Sequence, residues 1–209
     1  MSFSAWANPD LPVVDPLGVR SGIASITTNS AQTAMTITTN NVRSLQDFST
    51  FNVGAGRTVT ITQPTPTSNF LARVTGSQAS TIHGTVGGNG NFWLANPNGI
   101  LISPTGQITN FQGVVATANR YAPTEAQRFL SGDLNGVLQQ NQLGQQAVTN
   151  QGTIRTGNNG FVVLSGGGVN NTANLTTGAG GVIDSPAGAV SLVAANRVTL
   201  VSTTGVVLP

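Results

Sequence analysis

The chain has 209 residues, 7% charged and 5% aromatic, with 26 glycines, 10 prolines and no cysteine. That length accommodates one domain with a sizeable core, while the charged fraction lies far below the roughly one quarter of an ordinary soluble domain. Lysine is absent, and Thr, Asn, Ser, Gln, Gly and Val stand in for charge; this palette favours strands and turns and excludes helical bundles and charge-rich disorder.

Eight arginines (Arg20, Arg43, Arg57, Arg73, Arg120, Arg128, Arg155 and Arg197) face six acids, for a net charge of +2. The pI near 10.5 reflects the lack of groups that titrate in between, and the arginines are scattered. Nucleic-acid binding draws its affinity from clustered cations, so no nucleic-acid partner is expected. No apolar run approaches the roughly 18–20 residues of a membrane-spanning helix. Absence of cysteine suits the cytosol, and equally suits export of an unfolded chain, which stray disulfides would lock. At the start, Ala5-Trp6-Ala7 before Asn8-Pro9 has the small-x-small pattern of a signal-peptidase site. No basic or apolar region precedes it, so residues 1–7 read either as a signal-peptide remnant or as an expression artefact.

In chain order, alternation predicts strands at Ile23–Ile26 and Ala34–Thr39, then a turn at Asn40-Asn41. Arg57–Thr62 alternates cleanly and stops before Pro64 and Pro66, which break any further ladder. Phe70, Leu71, Val74, Ile82 and Val86 continue between Gly76, Gly84 and the Gly87–Gly90 turn cluster. Phe92–Leu94 and Ile100–Ile102 read as strands buried on more than one side.

The second half has a period. Ile108-Thr109-Asn110, Val148-Thr149-Asn150 and Val169-Asn170-Asn171 share an aliphatic-x-Asn pattern, the last two 21 residues apart and the first two 40 apart. Apolar segments at Val114-Val115, Phe161–Leu164, Val190–Ala194 and Val198–Val201 follow at similar phase. One strand-turn-strand circuit per roughly twenty residues marks a β-solenoid. Stacking also accounts for the missing charge: equivalent residues of successive coils sit about 4.8 Å apart, where like charges repel and Thr, Asn or Ser can hydrogen-bond. The stretch 121–146 interrupts the period. Pro123–Leu130 can start a short helix, with Pro near its first turn, and a Gln-rich run follows; either a helical turn or a hairpin packed on one face fits this excursion.

Asn96-Pro97-Asn98-Gly99 between two apolar strands is a strong β-turn, with Pro setting φ at the second position and Gly last. With Ile100 it also resembles the Asn-Pro-Asn-Gly-Ile signature of the two-partner-secretion domain, the N-terminal region of filamentous-haemagglutinin-like exoproteins (haemagglutination activity domain). The flanking blocks follow a similar order: Phe48–Val53, Phe70–Gly76 with Arg73, Val74, Thr75 and Gly76, then Ile82–Gly84, the motif, and Gly113–Ala118. Val148–Ile154 and Val190–Leu200 resemble the family's coil repeats. The earlier Asn-Pro-Asn-Leu motif of many members has no counterpart; Asn40-Asn41-Val42 lies roughly where it would fall.

The resemblance implies an all-β fold: a right-handed parallel β-helix with an N-terminal cap and extra-helical β elements, one secretion domain over 1–209. It also implies a partner, an outer-membrane β-barrel transporter with periplasmic POTRA domains, and hence passage through periplasm and outer membrane to the cell surface or medium. POTRA-type domains can bind extended segments by adding a strand to a sheet edge, and the alternating stretch with Arg57, Val59 and Ile61 would serve. Whether Asn98 touches the transporter or only makes the turn stays open.

Two other functional classes use the same architecture. Polysaccharide-degrading β-helix enzymes need clustered carboxylates, whereas Asp10, Asp15, Asp47, Glu125, Asp133 and Asp184 are dispersed and read as caps or turn residues. His83 is the lone histidine, so neither catalytic residues nor a metal or other cofactor is expected. An adhesin module is the alternative, with flat Thr- and Asn-rich coil faces contacting surface glycan or biofilm polysaccharide. The fragment is expected to be monomeric, with Val206–Leu208 leaving an exposed strand edge.

Overall fold

The structure, a computed structural model, describes residues 10–133, 136–139, 146–173, 180–195, 197–203 and 206–208. Residues 1–7, with their two readings, and positions 140–145 of the Gln-rich run lie outside the described residues.

Three short strands open the chain: β1 (Val13–Val14), β2 (Arg20–Ser21) and β3 (Ile23–Thr28). They pair antiparallel, β1 and β2 with β5 (Arg43–Thr50) and β3 with β4 (Ala34–Thr39). From β4 onward the pairing within the coil is parallel. The following circuits are β6 (Thr58–Thr62), β7 (Asn69–Val74) and β8 (Ser80–Ile82), then β9 (Thr85–Gly88), β10 (Asn91–Ala95) and β11 (Ile100–Ile102). β12 (Gln107–Thr117) covers two faces in one long strand and leads to α1 (Pro123–Ser131) and β13 (Gly136–Gln139). The coil resumes with β14 (Ala147–Asn150), β15 (Thr153–Gly166), β16 (Gly168–Asn171), β17 (Val182–Asp184) and β18 (Ala189–Ala194), and β19 (Arg197–Thr203) and β20 (Val206–Leu208) follow.

Three parallel faces result. On the first, β5, β7, β10, β12, β15 and β18 stack in register, so that Ser44, Phe70, Phe92, Val114, Val162 and Val190 form one inward column. The second face stacks β4, β6, β9, β12, β15 and β17, with Met35, Val59, Val86, Ile108, Ile154 and Ile183 pointing inward. The third is β8, β11, β14 and β16. This is the expected parallel β-helix, with its antiparallel N-terminal cap and β elements outside the coil.

Phenylalanines fill the interior. Phe70 and Phe92 occupy the same register position on neighbouring coils with ring centroids 6.4 Å apart, and Phe92 stacks on Phe111 at 5.2 Å. Column packing of this kind removes apolar area from water on every coil, at roughly 25 cal/mol per Å².

A second core lies outside the coil. Leu45, Leu71, Trp93, Val115 and Val163 form an outward column on the first face, covered by Ala126 and Phe129 of α1 together with Tyr121 and Val198. Nine residues are too few for an isolated helix to be stable; this packing holds α1, Pro123 starts it, and Gly132 ends it at φ 100° with Asp133 N–H donating to Arg128 O at 3.0 Å. Of the two conformations that fitted the excursion, the chain uses both a helix and a strand, β13, which pairs antiparallel with β19.

Two periodic expectations shift. Val148 and Val169 stack, as do Asn150 and Asn171, but Ile108 sits on the second face against Val86 and Ile154, and the true neighbour of Val148 is Ile100. A shared tripeptide does not report which face it occupies. Val198–Val201 likewise leaves the coil, pairing with β13 instead of stacking on β18.

Truncation of Phe92 to Ala, which opens a void among Phe51, Phe70 and Phe111, should lower unfolding free energy by about 3–5 kcal/mol in urea titration. Leu17→Ala, at a side chain 96% exposed, should change it by less than about 0.5 kcal/mol.

Candidate functional site: the Asn96 corner and its cleft

β10 ends at Ala95, and the chain must turn to reach the third face. Gly99 N–H donates to Asn96 O at 3.0 Å, closing a β-turn over Asn96–Gly99, with Gly99 at φ +106°, a conformation costly for other residues. Asn96 is fully buried. Its Oδ1 accepts from Asn98 N–H at 2.9 Å and from Asn98 Nδ2 at 3.0 Å, while its Nδ2 donates to Gln78 O and Ser80 Oγ, both at 2.9 Å. Asn98 Nδ2 also donates to Gly76 O at 2.8 Å. The turn is therefore bolted to the coil before it by three side-chain hydrogen bonds. Asn96 N–H donates to Thr117 O of the coil after it at 2.9 Å, and Ile100 enters β11 between Ser80 and Val148.

The block Arg73–Gly76 forms the equivalent corner one coil earlier. A side chain on Gly76 would collide with Ser49 O, so glycine lets this corner lie directly on the end of β5 in the coil before it. Arg73 and Asp47 are register neighbours on β7 and β5. Their pairing is bidentate and buried: Nε to Oδ1 at 2.8 Å and Nη2 to Oδ2 at 2.6 Å. Asp47 accepts Val19 N–H from the cap at 2.8 Å, and Arg73 Nη1 reaches Tyr121 O at 3.5 Å. One ion pair thus ties cap, coil and excursion together.

Next to it, Asp15 accepts the Thr75 hydroxyl at 2.6 Å and Leu17 N–H at 3.0 Å. These bonds, the Thr75 one first, hold its carboxyl below the usual carboxylate range. Burial pushes the Tyr121 phenol far above its ordinary value, and Glu125 adds to the effect, so it stays neutral.

The motif and the block share a single open cleft of about 670 Å³, lined among others by Arg73, Gly76, Pro97, Asn98, Arg120 and Tyr121. The stretch Arg57–Thr62 lies elsewhere. Val59 and Ile61 are wholly inside the coil, both edges of β6 are paired, and Arg57 meets Asp10 at 3.2 Å. Five acids have an arginine partner, Asp10 with Arg57, Asp47 with Arg73, Glu125 and Asp133 with Arg128, and Asp184 with Arg155, while Asp15 accepts the Thr75 hydroxyl. Ion pairing adds to the turn and cap positions expected of these acids: Asp15 still holds a turn through Leu17 N–H and Gly18 N–H, and Glu125 lies in the first turn of α1. Sequence reasoning missed Asp47 and Asp15 as parts of this site; an Asp between Leu45 and Phe48, in the strand Arg43–Thr50, was the available signal.

The match to the family model for the TPS secretion domain runs over residues 15–206, and the chain belongs to that family. The crystal structure of the HMW1 secretion domain from Haemophilus influenzae superposes with a TM-score of 0.71 at 26% identity, covering 85% of this chain and 45% of that one. A heme/hemopexin-binding protein of Haemophilus influenzae strain Rd is 41% identical over 71 residues, or 34% of this chain and 8% of that protein. Another from Haemophilus influenzae is 36% identical over 83 residues, 40% of this chain and 9% of its length. The chain thus aligns with under a tenth of these relatives. It is the secretion domain of an exoprotein; such a domain implies an outer-membrane transporter and passage across the outer membrane, and the family is one of secretion domains rather than enzymes.

Arg73→Met leaves Asp47 buried without its partner and should cost about 3–5 kcal/mol. Adding Asp47→Asn should restore part of that loss, a non-additivity that a double-mutant cycle in urea reads directly. The Asp15 bonds stabilise the fold at pH values above the unfolded carboxyl pKa near 3.9, and their contribution fades as pH falls through the lower folded value. The urea midpoints of wild type and Asp15→Asn should therefore differ at pH 7 and converge on acidification.

Proposed function

We propose that this domain is recognised in the periplasm by the POTRA domains of its cognate transporter, and that it then nucleates β-helix folding outside the cell. The observation that carries the reading is the placement of the candidate strand against that of the corner. In the folded coil, β6 has a strand on either edge and its Val59 and Ile61 are buried. Strand addition needs free backbone donors and acceptors. Recognition through Arg57, Val59 and Ile61 therefore belongs to the unfolded chain, and pairing of β4, β6 and β9 withdraws the segment from the transporter.

The corner then takes the folding role. Asn96 and Asn98 bond the preceding coil while Asn96 N–H bonds the following one, so this turn sets coil-to-coil register. At the far end, the inward residues Val190 and Leu192 are each 47% exposed, and among the described residues β18 pairs with β15 alone, an open surface on which another coil can stack. Each coil in such a stack contacts only its neighbours, so growth is cheap once the first coils exist. Outward passage then needs no ATP. The cap and coil act as one secretion unit, monomeric on its own.

Secretion of the chain should require the co-expressed transporter; appearance in the medium without it overturns the reading. Isolated POTRA domains should bind the chain held unfolded in mild urea and ignore the refolded chain, and preference for the folded form would remove strand addition as the mode. The Asn96→Ala/Gly99→Ala double variant should be secreted at least about tenfold less. Each lost buried asparagine bond costs on the order of 1–3 kcal/mol, and wild-type secretion would leave the corner without a part in the process.

A further inference from the structure

The outward side of the second face is used by neither the corner nor the outer core. Its outward residues, half-buried to exposed, alternate with buried Met35, Ile37, Val59, Ile61, Val86 and Ile108, and the strand register fixes which of them stand side by side. Thr27, Thr36, Thr60 and Thr109 form one rank across β3, β4, β6 and β12, broken only at Gly87 on β9. Ser25, Thr38 and Thr62 form a second. Thr58 and Thr85 run past Gln107 to Thr153 in a third.

Strand geometry spaces these hydroxyls about 4.8 Å across strands and roughly 6.7 Å along them. No ionisable side chain stands within the field; the Arg57–Asp10 pair lies at one border and Arg155–Asp184 at another. Among the described residues, the hydroxyls of the three ranks make no hydrogen bond within the protein. They form a regular, neutral array of groups that both donate and accept.

We propose that this field binds an uncharged, polyhydroxylated polymer, a neutral polysaccharide lying flat across the strands. Charge decides the partner's class: a polyanion would have to desolvate its charges against a neutral field whose bordering cations, Arg57 and Arg155, are already paired with Asp10 and Asp184. Sugar hydroxyls, like threonine hydroxyls, are one donor and two acceptors each, so either group can satisfy the other in any orientation. With no aromatic ring in the field to grip a single sugar, each contact is weak. Repetition along the polymer makes the binding, through the high effective concentration of each next contact. The inference is independent of the secretion reading, since it concerns the folded domain after export.

The experiment is co-sedimentation of the 209-residue chain with amorphous cellulose, alongside bead-bound polygalacturonate as the polyanionic counterpart. Wild type should be retained on cellulose and pass the polyanion. Thr36→Val/Thr60→Val/Thr109→Val keeps shape and strand preference while removing three hydroxyls, and should weaken retention by roughly tenfold or more, as loss of several modest hydrogen bonds predicts. Gly87→Thr fills the gap in the first rank. A Cβ there would meet only Thr109 O at 3.6 Å and Thr109 Oγ1 at 3.7 Å, so the fold should tolerate the change while retention rises about two- to threefold. Circular dichroism melts of both variants serve as the folding control. Absence of wild-type retention on cellulose, equal retention of the triple variant, or preference for polygalacturonate overturns the proposal, and each leaves transporter-dependent secretion where it stood.

Discussion

Everything in this molecule depends on one constraint: a residue in one coil sits about one strand spacing, roughly 4.8 Å, from its counterpart in the next. That distance is shorter than the separation at which two like charges can be tolerated in a poorly solvated stack, yet suits van der Waals contact between aliphatic side chains. The columns therefore hold residues of one kind, such as Met35, Val59, Val86, Ile108, Ile154 and Ile183. Where two charged residues meet at matching register in the stack they are of opposite sign, and Arg43, without an ion pair among the described residues, stands beside the neutral Asn69. Asp47 lies beside Arg73, and Asp184 beside Arg155, each pair at matching register on adjacent strands. A low charged fraction is the compositional trace of this geometry.

The same constraint explains where glycine and asparagine are needed. Coil corners must lie as close as coil strands, so Gly76 abuts the Ser49 carbonyl with no room for a side chain. Bends expose backbone groups that a strand would have paired, and the asparagines of the turn satisfy them from the side. Asn96 makes four side-chain bonds while wholly buried, two of them to backbone groups. Further along, Asn150 donates to Asn171 Oδ1 at 2.8 Å and accepts Gly152 N–H. Where one face gains a second layer the pattern changes. β7 and β10 are buried along their whole length, since their outward residues face α1 and Tyr121 while their inward residues face the coil.

Much of this was legible in the residues. Alternation located Ala34–Thr39 and Thr58–Thr62, Pro123 marked the start of α1, and Asn96–Gly99 announced a tight turn between two buried strands. What failed failed for a physical reason. Aliphatic-x-Asn triplets occur on any face, because each face needs an inward aliphatic and each corner tolerates an asparagine; Ile108 therefore aligned by eye with Val148 but stacks on Val86 and Ile154. The site was half visible. Its turn and its Arg73–Gly76 block are local in sequence, whereas the Asp47 carboxylate lies 26 residues from Arg73 and the Tyr121 carbonyl 48 residues away. Contacts across coils of irregular length leave no fixed spacing to read.

A stack of this type also imposes an order on events. Within the coil a middle strand completes its backbone pairing only when both neighbours are in place, so a segment bound at its edge to another protein cannot at the same moment belong to the coil. Val59 and Ile61 illustrate the exclusion, since their side chains are buried only in the closed stack. The cap gives the process a first template, because β1, β2 and β3 pair antiparallel with the opening coil strands and cover one end. The Arg73–Asp47 pair locks that start, joining Val19 of the cap to the second coil and, through Tyr121 O, to the segment that later covers the outer face. Because these contacts need residues 19, 47, 73 and 121 together, the first coils reach their full set of bonds only when the chain as far as Tyr121 has folded with them.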